Sequence, residues 1–235
     1  MHDHVHLAID GGPGSFTTLN PCTTTGGTGS CQITLTSATT GTTVARAHVT
    51  LSVGGLAVSR NTNGTGANSG AARKTWVDTT PPVLNVPGDF AVDATSPGGA
   101  VVKYTVWATD AVDPAPVVAC VPASGTRFPI GDTTVACTAT DSAGNSSSAG
   151  FVVHVRGADE QLVMLEAVVE GAGLGKNCLT KLEQARTALP DNTAAARFLN
   201  TFINDVKAQQ GKKIPVDVAT ELIGSATRIR AVLAW

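Results

Sequence analysis

Charge is scarce in this 235-residue chain: Asp, Glu, Lys and Arg make up 14% of it, and the formal net charge is -2. Phosphate binding needs clustered Lys and Arg, and no basic stripe interrupts the sequence, so no nucleic-acid partner is expected. Aromatics are scarcer still, at 4%. That removes the exposed aromatic platform a carbohydrate-binding sandwich uses; Trp76, Trp107 and Trp235 are scattered, and Trp107 reads as core. No run of 18 apolar residues could cross a bilayer, so no membrane span is expected. The opening Met1-His2-Asp3-His4 has neither the basic start nor the apolar stretch of a signal peptide, so an exported form is expected to be a mature chain or a piece of a longer one. Catalytic signatures are missing as well: there is no G-x-S-x-G, no H-E-x-x-H, no phosphate-binding loop and no dinucleotide fingerprint. The expectation is a protein without enzymatic activity and without a required cofactor.

Thr, Gly and Val fill the space left by charge. Thr and Val favour strands and Gly punctuates turns. Composition changes twice along the chain. Residues 1–78 are rich in Thr, Gly and Ser; residues 79–157 stay strand-like but gain Asp at 89, 93, 110, 113, 132 and 141. From 158 to 235 Ala, Leu, Glu and Lys take over, and the apolar period moves from two to about 3.6. The chain therefore reads as multidomain, two all-β sandwiches followed by a small all-α helical bundle.

Five cysteines punctuate this pattern. Cys22 and Cys31 flank a Thr/Gly-rich turn, and Cys120 and Cys137 flank a loop containing Pro and Gly. Both spacings suit hairpin or cross-strand bridges, and neither is the C-x-x-C of a zinc or redox site. Disulfides would place the chain outside the cytoplasm; buried free thiols in a cytosolic protein are the other reading. Cys178, in a helical stretch, reads as a small buried hydrophobe.

In the first segment Val5, Leu7 and Ile9 alternate with polar neighbours, as do residues 31–35; Val44 to Val53 and Lys74 to Val77 supply further strands, and residues 61–70 form a polar loop. The Cys22–Cys31 hairpin, followed by Gly-Thr turns, resembles bacterial immunoglobulin-like repeats. An immunoglobulin-like sandwich implies one or two strands ahead of Val5, so this copy is expected to start late and to leave a sheet edge open.

The second segment opens at Asp78-Thr-Thr-Pro81-Pro82, whose paired prolines cannot join a ladder. Strands are expected over 83–86, 90–93, 100–107, 117–120, 133–140 and 150–155. The order of Asp78-x-x-Pro81-Pro82, Thr109-Asp110, Cys120, Ser124-Gly125-x-x-Phe128-Pro129-Ile130-Gly131, Thr134-Val135-x-Cys137-x-Ala139-x-Asp141-x-x-Gly144-Asn145 and Phe151-x-Val153-x-Val155 resembles a hyalin repeat (HYR) domain. That resemblance implies an immunoglobulin-like sandwich, a role in extracellular adhesion, no catalysis, and a Cys120–Cys137 pair. Phe128-Pro129-Ile130 reads as an apolar plug at the sandwich end, and Asp141 to Asn145 as a tight turn capped by its own side chains.

Apolar stripes mark four helices in the last segment: Leu162, Leu165, Val168 and Val169; Leu179, Leu182, Ala185 and Leu189; Ala195, Leu199, Phe202 and Val206; Ala219, Leu222, Ala226, Ile229 and Leu233. Asp191 is placed to cap the third, and Pro215 to open the fourth. Leu179-Thr-Lys-Leu182, Phe198-Leu199-x-x-Phe202-Ile203-x-x-Val206 and Ala219-x-x-Leu222-Ile223 resemble the FIMAH domain, a helical module of secreted bacterial proteins.

Two constellations carry metal-ligand chemistry. Asp78, Asp110 and Asp113 offer oxygen ligands for Ca²⁺, although Asp-x-x-Asp-Pro is also an ordinary turn; Asp141 and Asn145 are weighed as additions whose turn role suffices. His2, His4 and His6 share a strand face and read either as a transition-metal site or as solvent-facing residues. His48 and His154 fall on strands, with His154 expected on the surface. The functional reading is a structural or adhesive protein of a bacterial surface that meets protein partners, or copies of itself, through sheet edges. A homopolymeric filament built by strand donation and the accessory tail of a secreted enzyme are the other readings.

Overall fold

Period-two alternation up to residue 156 becomes strands, and the 3.6-residue repeat beyond it becomes helices. The computed structural model describes residues 4–18, 20–24, 30–65 and 69–234, and among these it contains fifteen strands followed by four helices. The chain divides into two compact units. One holds Met1–Pro81 with the loops Asp110–Pro114 and Asp141–Asn145; the other holds the remainder.

The first unit is built on β1 (His4–Gly11), β2 (Ser15–Phe16), β3 (Cys22–Thr23), β4 (Leu35–Thr36), β5 (Gly41–Val53), β6 (Leu56–Asn61) and β7 (Ala72–Trp76). The sheet order is β3-β1-β5-β6, with β7 also paired to β5, and β2 and β4 form a separate ribbon. Val5, Leu7 and Ile9 occupy one half-buried face of β1, as their alternation requires. The strand expected over 31–35 shrinks to its last residue. Thr34 donates its N–H to Thr18 Oγ1 (3.0 Å) and accepts from Thr17 N–H (2.9 Å), so a side chain takes part of the ladder's place. Among the described residues of 4–81, the one buried side chain is Thr43, which accepts from Trp76 Nε1 (2.7 Å) and donates to the Pro13 carbonyl. No described apolar side chain of this stretch is fully buried.

The second unit begins with β8 (Val83–Asn85), β9 (Phe90–Asp93), β10 (Ala100–Val101), β11 (Trp107–Thr109), β12 (Val117–Val121), β13 (Arg127–Phe128), β14 (Gly131–Thr140) and β15 (Ser146–Arg156). One sheet runs β12-β14-β15-β9, with β9 parallel to β15, while β8 pairs β11 and β10 pairs β13. Phe128, Val135, Phe151, Val153 and Val155 are buried in one core, with Phe90, Tyr104 and Leu84 packed against it. The Tyr104 ring meets Phe151 edge-on at 5.1 Å. Phe128 is the plug foreseen in sequence, whereas Ile130 is 43% exposed.

Two expectations fail here. The strand placed over 100–107 is broken, because Tyr104 pairs with a side chain: its N–H donates to Ser124 Oγ (2.9 Å), which donates back to the Tyr104 carbonyl (2.8 Å). Trp107 is not core. It lies on β11 opposite Asn85 and is 53% exposed, the interior being filled by the phenylalanines and Tyr104.

Four helices follow: α1 (Ala158–Gly171), α2 (Lys176–Thr187), α3 (Asn192–Gln209) and α4 (Val216–Leu233). Asp191 caps α3 by accepting the Ala194 N–H at 3.0 Å, and Pro215 stands one residue before α4. The stripes converge on Leu162, Leu165, Leu182, Leu199, Phe202, Leu222 and Ile229, and Cys178 is buried among them. Val168 departs from its expected inward place and is 51% exposed; the adjacent Val169 takes the core position. A single residue, Gly157, separates β15 from α1, and Val232 of α4 is buried in the sandwich core. Gln161, also buried, donates to the carbonyls of Ala94 (3.1 Å) and Arg156 (2.9 Å) and accepts from Arg228 Nε (3.2 Å).

Candidate functional site

Three carboxylates converge within the first unit. One oxygen each from Asp78, Asp110 and Asp141 lies within 4.8 Å of the others. Each is held by its own turn. Asp78 Oδ1 accepts the Thr80 N–H (3.0 Å), and Asp110 Oδ1 accepts from Val112 (2.8 Å) and Asp113 (2.9 Å). Asp141 Oδ1 accepts from Ala143 (2.9 Å) and Asn145 (2.8 Å), and its Oδ2 accepts from Asn145 Nδ2 (2.8 Å). Short polar residues that bond two or more positions ahead are the residues that build such turns.

The triad differs from the one read in sequence. Asp113 does not complete it; its Oδ2 accepts the Ser142 N–H at 2.7 Å and so ties one loop to the other. Asp141 takes the third place. Burial pushes the Asp141 carboxyl up, but the bonds from the Asn145 side chain and from the backbone of Asn145, Ala143 and Gly144 outweigh it and hold the carboxyl below its ordinary value. Asp110 Oδ2 is buried and has no hydrogen-bond partner.

Of the histidine row, His2 lies outside the described residues. His4 Nδ1 is 3.3 Å from Thr23 Oγ1, and His6 stands opposite His48 on β5. Among the described residues, the carboxylate triad is the group able to hold a metal, and no histidine belongs to it. His154, expected as a plain surface residue, is instead held at both ring nitrogens: Nδ1 lies 2.5 Å from Asp132 Oδ1, and Nε2 lies 2.8 Å from Glu160 Oε1 in the first turn of α1. These two carboxylates raise its pKa, Asp132 contributing most. Sequence reasoning missed this clamp because Glu160 comes from the helix and Asp132 from the neighbouring strand.

Both cysteine pairs are at bonding distance. Cys22 and Cys31 have Cα atoms 6.0 Å apart, and Cys120 and Cys137 have Cα atoms 4.1 Å apart as direct cross-strand partners on β12 and β14. Beside that bridge, β12 forms the edge of its sheet, and Val117 and Val121 on it are 71% and 74% exposed.

The HYR domain family model matches residues 77–155, the stretch that carries the β8–β15 strands, the Cys120–Cys137 bridge and all three carboxylates of the triad. Residues 77–155 are a HYR domain. HYR is a non-catalytic module of extracellular, adhesion-type proteins. No curated protein matches the chain. None of the described helices is long and apolar enough to cross a membrane.

Proposed function

We propose that this chain is a non-enzymatic structural or adhesive protein of a bacterial surface, binding through sheet edges of its sandwiches. In this reading residues 1–78 are a bacterial immunoglobulin-like module, and residues 158–235 are a FIMAH-like helical module. The observation that carries the proposal is the β12 edge of the HYR domain. Edge strands of proteins that stay apart are blunted by charge, proline or bulges. β12 reads Val117-Val-Ala-Cys-Val121; although Pro116 and Pro122 bracket it, the strand itself carries no charge and no bulge and turns two large aliphatic side chains to solvent. Two cysteine pairs support an oxidising compartment.

The test displays the full chain on a non-adherent bacterium and measures retention in a flow cell. Retention should exceed that of bare cells and fall severalfold when Val117→Lys and Val121→Lys charge the edge. It should survive Val163→Lys on the exposed face of α1. Retention no better than that of bare cells overturns the adhesive reading.

A second reading, a filament subunit assembled by strand donation, is favoured by one observation: the sheet of the first unit has no fully buried apolar side chain among its described residues. A strand from a neighbouring copy would supply the missing cover and propagate without closing. Gel filtration and electron microscopy under non-reducing conditions test it; fibres or long oligomers support donation, and a clean monomer removes it.

A further inference from the structure

We propose that Asp78, Asp110 and Asp141 bind a calcium ion. Two independent observations carry this. The first is convergence: three carboxylates from sequence-distant turns bring oxygens to within 4.8 Å of one another. The self-capping bonds would form equally well with the turns far apart; the bonds from Ser142 N–H to Asp113 (2.7 Å) and from Asn145 Nδ2 to the Asp78 carbonyl (3.3 Å) hold the turns together, but none of these offsets the three negative charges that the turns bring to one place. The second is Asp110 Oδ2. It is out of reach of solvent and receives no hydrogen bond, while Oδ1 of the same carboxylate takes two. An unpaired buried carboxylate oxygen is costly, and a cation is the partner that satisfies it.

The donor set selects the ion. All three ligands are hard carboxylate oxygens, with no imidazole or thiolate, which disfavours zinc and copper. The ligands come from irregular loops and Asp141 has both oxygens engaged in its turn, an arrangement suited to the flexible coordination of Ca²⁺ and not to the strict octahedron of Mg²⁺. Bound there, the ion ties the chain at Asp78 to the loops 110–114 and 141–145, which belong to the same compact unit. Asp113 is a positioning residue for this site: by holding the Ser142 N–H it fixes one ligand loop against the other.

The experiment is calorimetric titration of the full, disulfide-intact chain, stripped with chelator, using CaCl₂ and in parallel MgCl₂ up to about 10 mM, a range set by the weak affinities of extracellular calcium modules. One calcium per chain should bind saturably, with magnesium giving no saturable heat. In the same wild-type protein the amide resonances of Val112, Asp113, Ala143 and Asn145 should shift with calcium, while those of α4 stay in place. Asp110→Asn keeps the Oδ1 acceptor of its turn and should weaken binding at least tenfold; Asp217→Asn on α4 should leave it unchanged. Absence of saturable calcium binding overturns the proposal, as does binding that leaves those four amides unmoved or that Asp110→Asn does not weaken. An equal response to magnesium overturns the choice of calcium.

Discussion

The side chain of Asn20 closes both hydrogen-bonding groups of Leu7: its Oδ1 accepts the Leu7 N–H at 2.9 Å and its Nδ2 donates to the Leu7 carbonyl at 2.6 Å. An amide side chain thus stands in for one residue of a strand along the outer edge of β1, where β3 pairs with only Val5 and His4. Asn20→Ala removes two bonds at an exposed position and should destabilise the first unit by about 1–2 kcal/mol, read as a lower urea midpoint. If sheet edges mediate self-association, the same substitution frees the edge at Leu7 and should raise the oligomer fraction in gel filtration.

Gln161 is buried and serves two carbonyls and one guanidinium. Gln161→Leu keeps the volume and removes the bonds, leaving buried polar groups short of partners. The expected loss is about 1–3 kcal/mol, measured by denaturant unfolding followed through both far-UV signal and tryptophan emission.

His154 gives stability a pH dependence of known sign. Its pKa is raised above the ordinary value by Asp132 and then Glu160, so folding favours its protonated form. The contribution is complete below the unfolded pKa of about 6.5 and is lost as pH rises through the higher folded value. Melting temperatures of the wild type and His154→Gln should therefore differ most in mildly acidic buffer and converge at alkaline pH. The wild-type His154 ring resonances should titrate above the midpoint of a free histidine.

Gly99 and Gly125 both have positive φ, +97° and +83°, but they differ in the space around them. A Cβ on Gly99 would lie 1.9 Å from the Phe128 carbonyl oxygen, whereas one on Gly125 meets nothing within 4 Å. Gly125→Ala should cost about 1–2 kcal/mol from the left-handed conformation alone. Gly99→Ala must also displace the backbone at the core plug and should cost clearly more, which paired denaturation curves will show.

The two bridges close loops of different length, with sequence separations of 17 for Cys120–Cys137 and 9 for Cys22–Cys31. Loop-closure entropy puts them at about 3 and about 2.5 kcal/mol. Paired Cys→Ala substitutions should destabilise in that order, the gap widened by burial of Cys137 in the sandwich core.

Where a residue's place follows from local period, it was legible in the sequence. Val153 and Val155 alternate into the core, Leu182 and Leu199 fall on helical stripes, and Asp191 caps α3 from the position its type favours. What escaped depends on distant chain. Trp107 has the apolar area of a core residue, but only the β8–β11 pairing decides which way its strand faces. Asp113 and Asp141 are equally good turn residues; their opposite roles, one holding Ser142 and one joining the triad, depend on how two loops meet. Thr43 is buried because Trp76 and Pro13 bond to it, and nothing in the Thr-rich stretch around it marks it out.

The parallel pairing of β9 with β15 has a mechanical consequence. β9 lies near the point where the chain enters the second unit, and β15 is the last strand of the sandwich. Tension applied across the sandwich from Pro82 to Gly157 pulls these two strands in opposite directions along their length. The pairs from Phe90–Val153 to Asp93–Arg156, the Ala94-to-Arg156 bond (3.0 Å) and the Arg156–Asp93 ion pair (2.7 Å) are then strained together in shear, where an antiparallel terminal pair would peel apart one bond at a time. Rupture under force is governed by the unfolding barrier and not by equilibrium stability, so this sandwich resists a steady pull more strongly than its small core alone would allow.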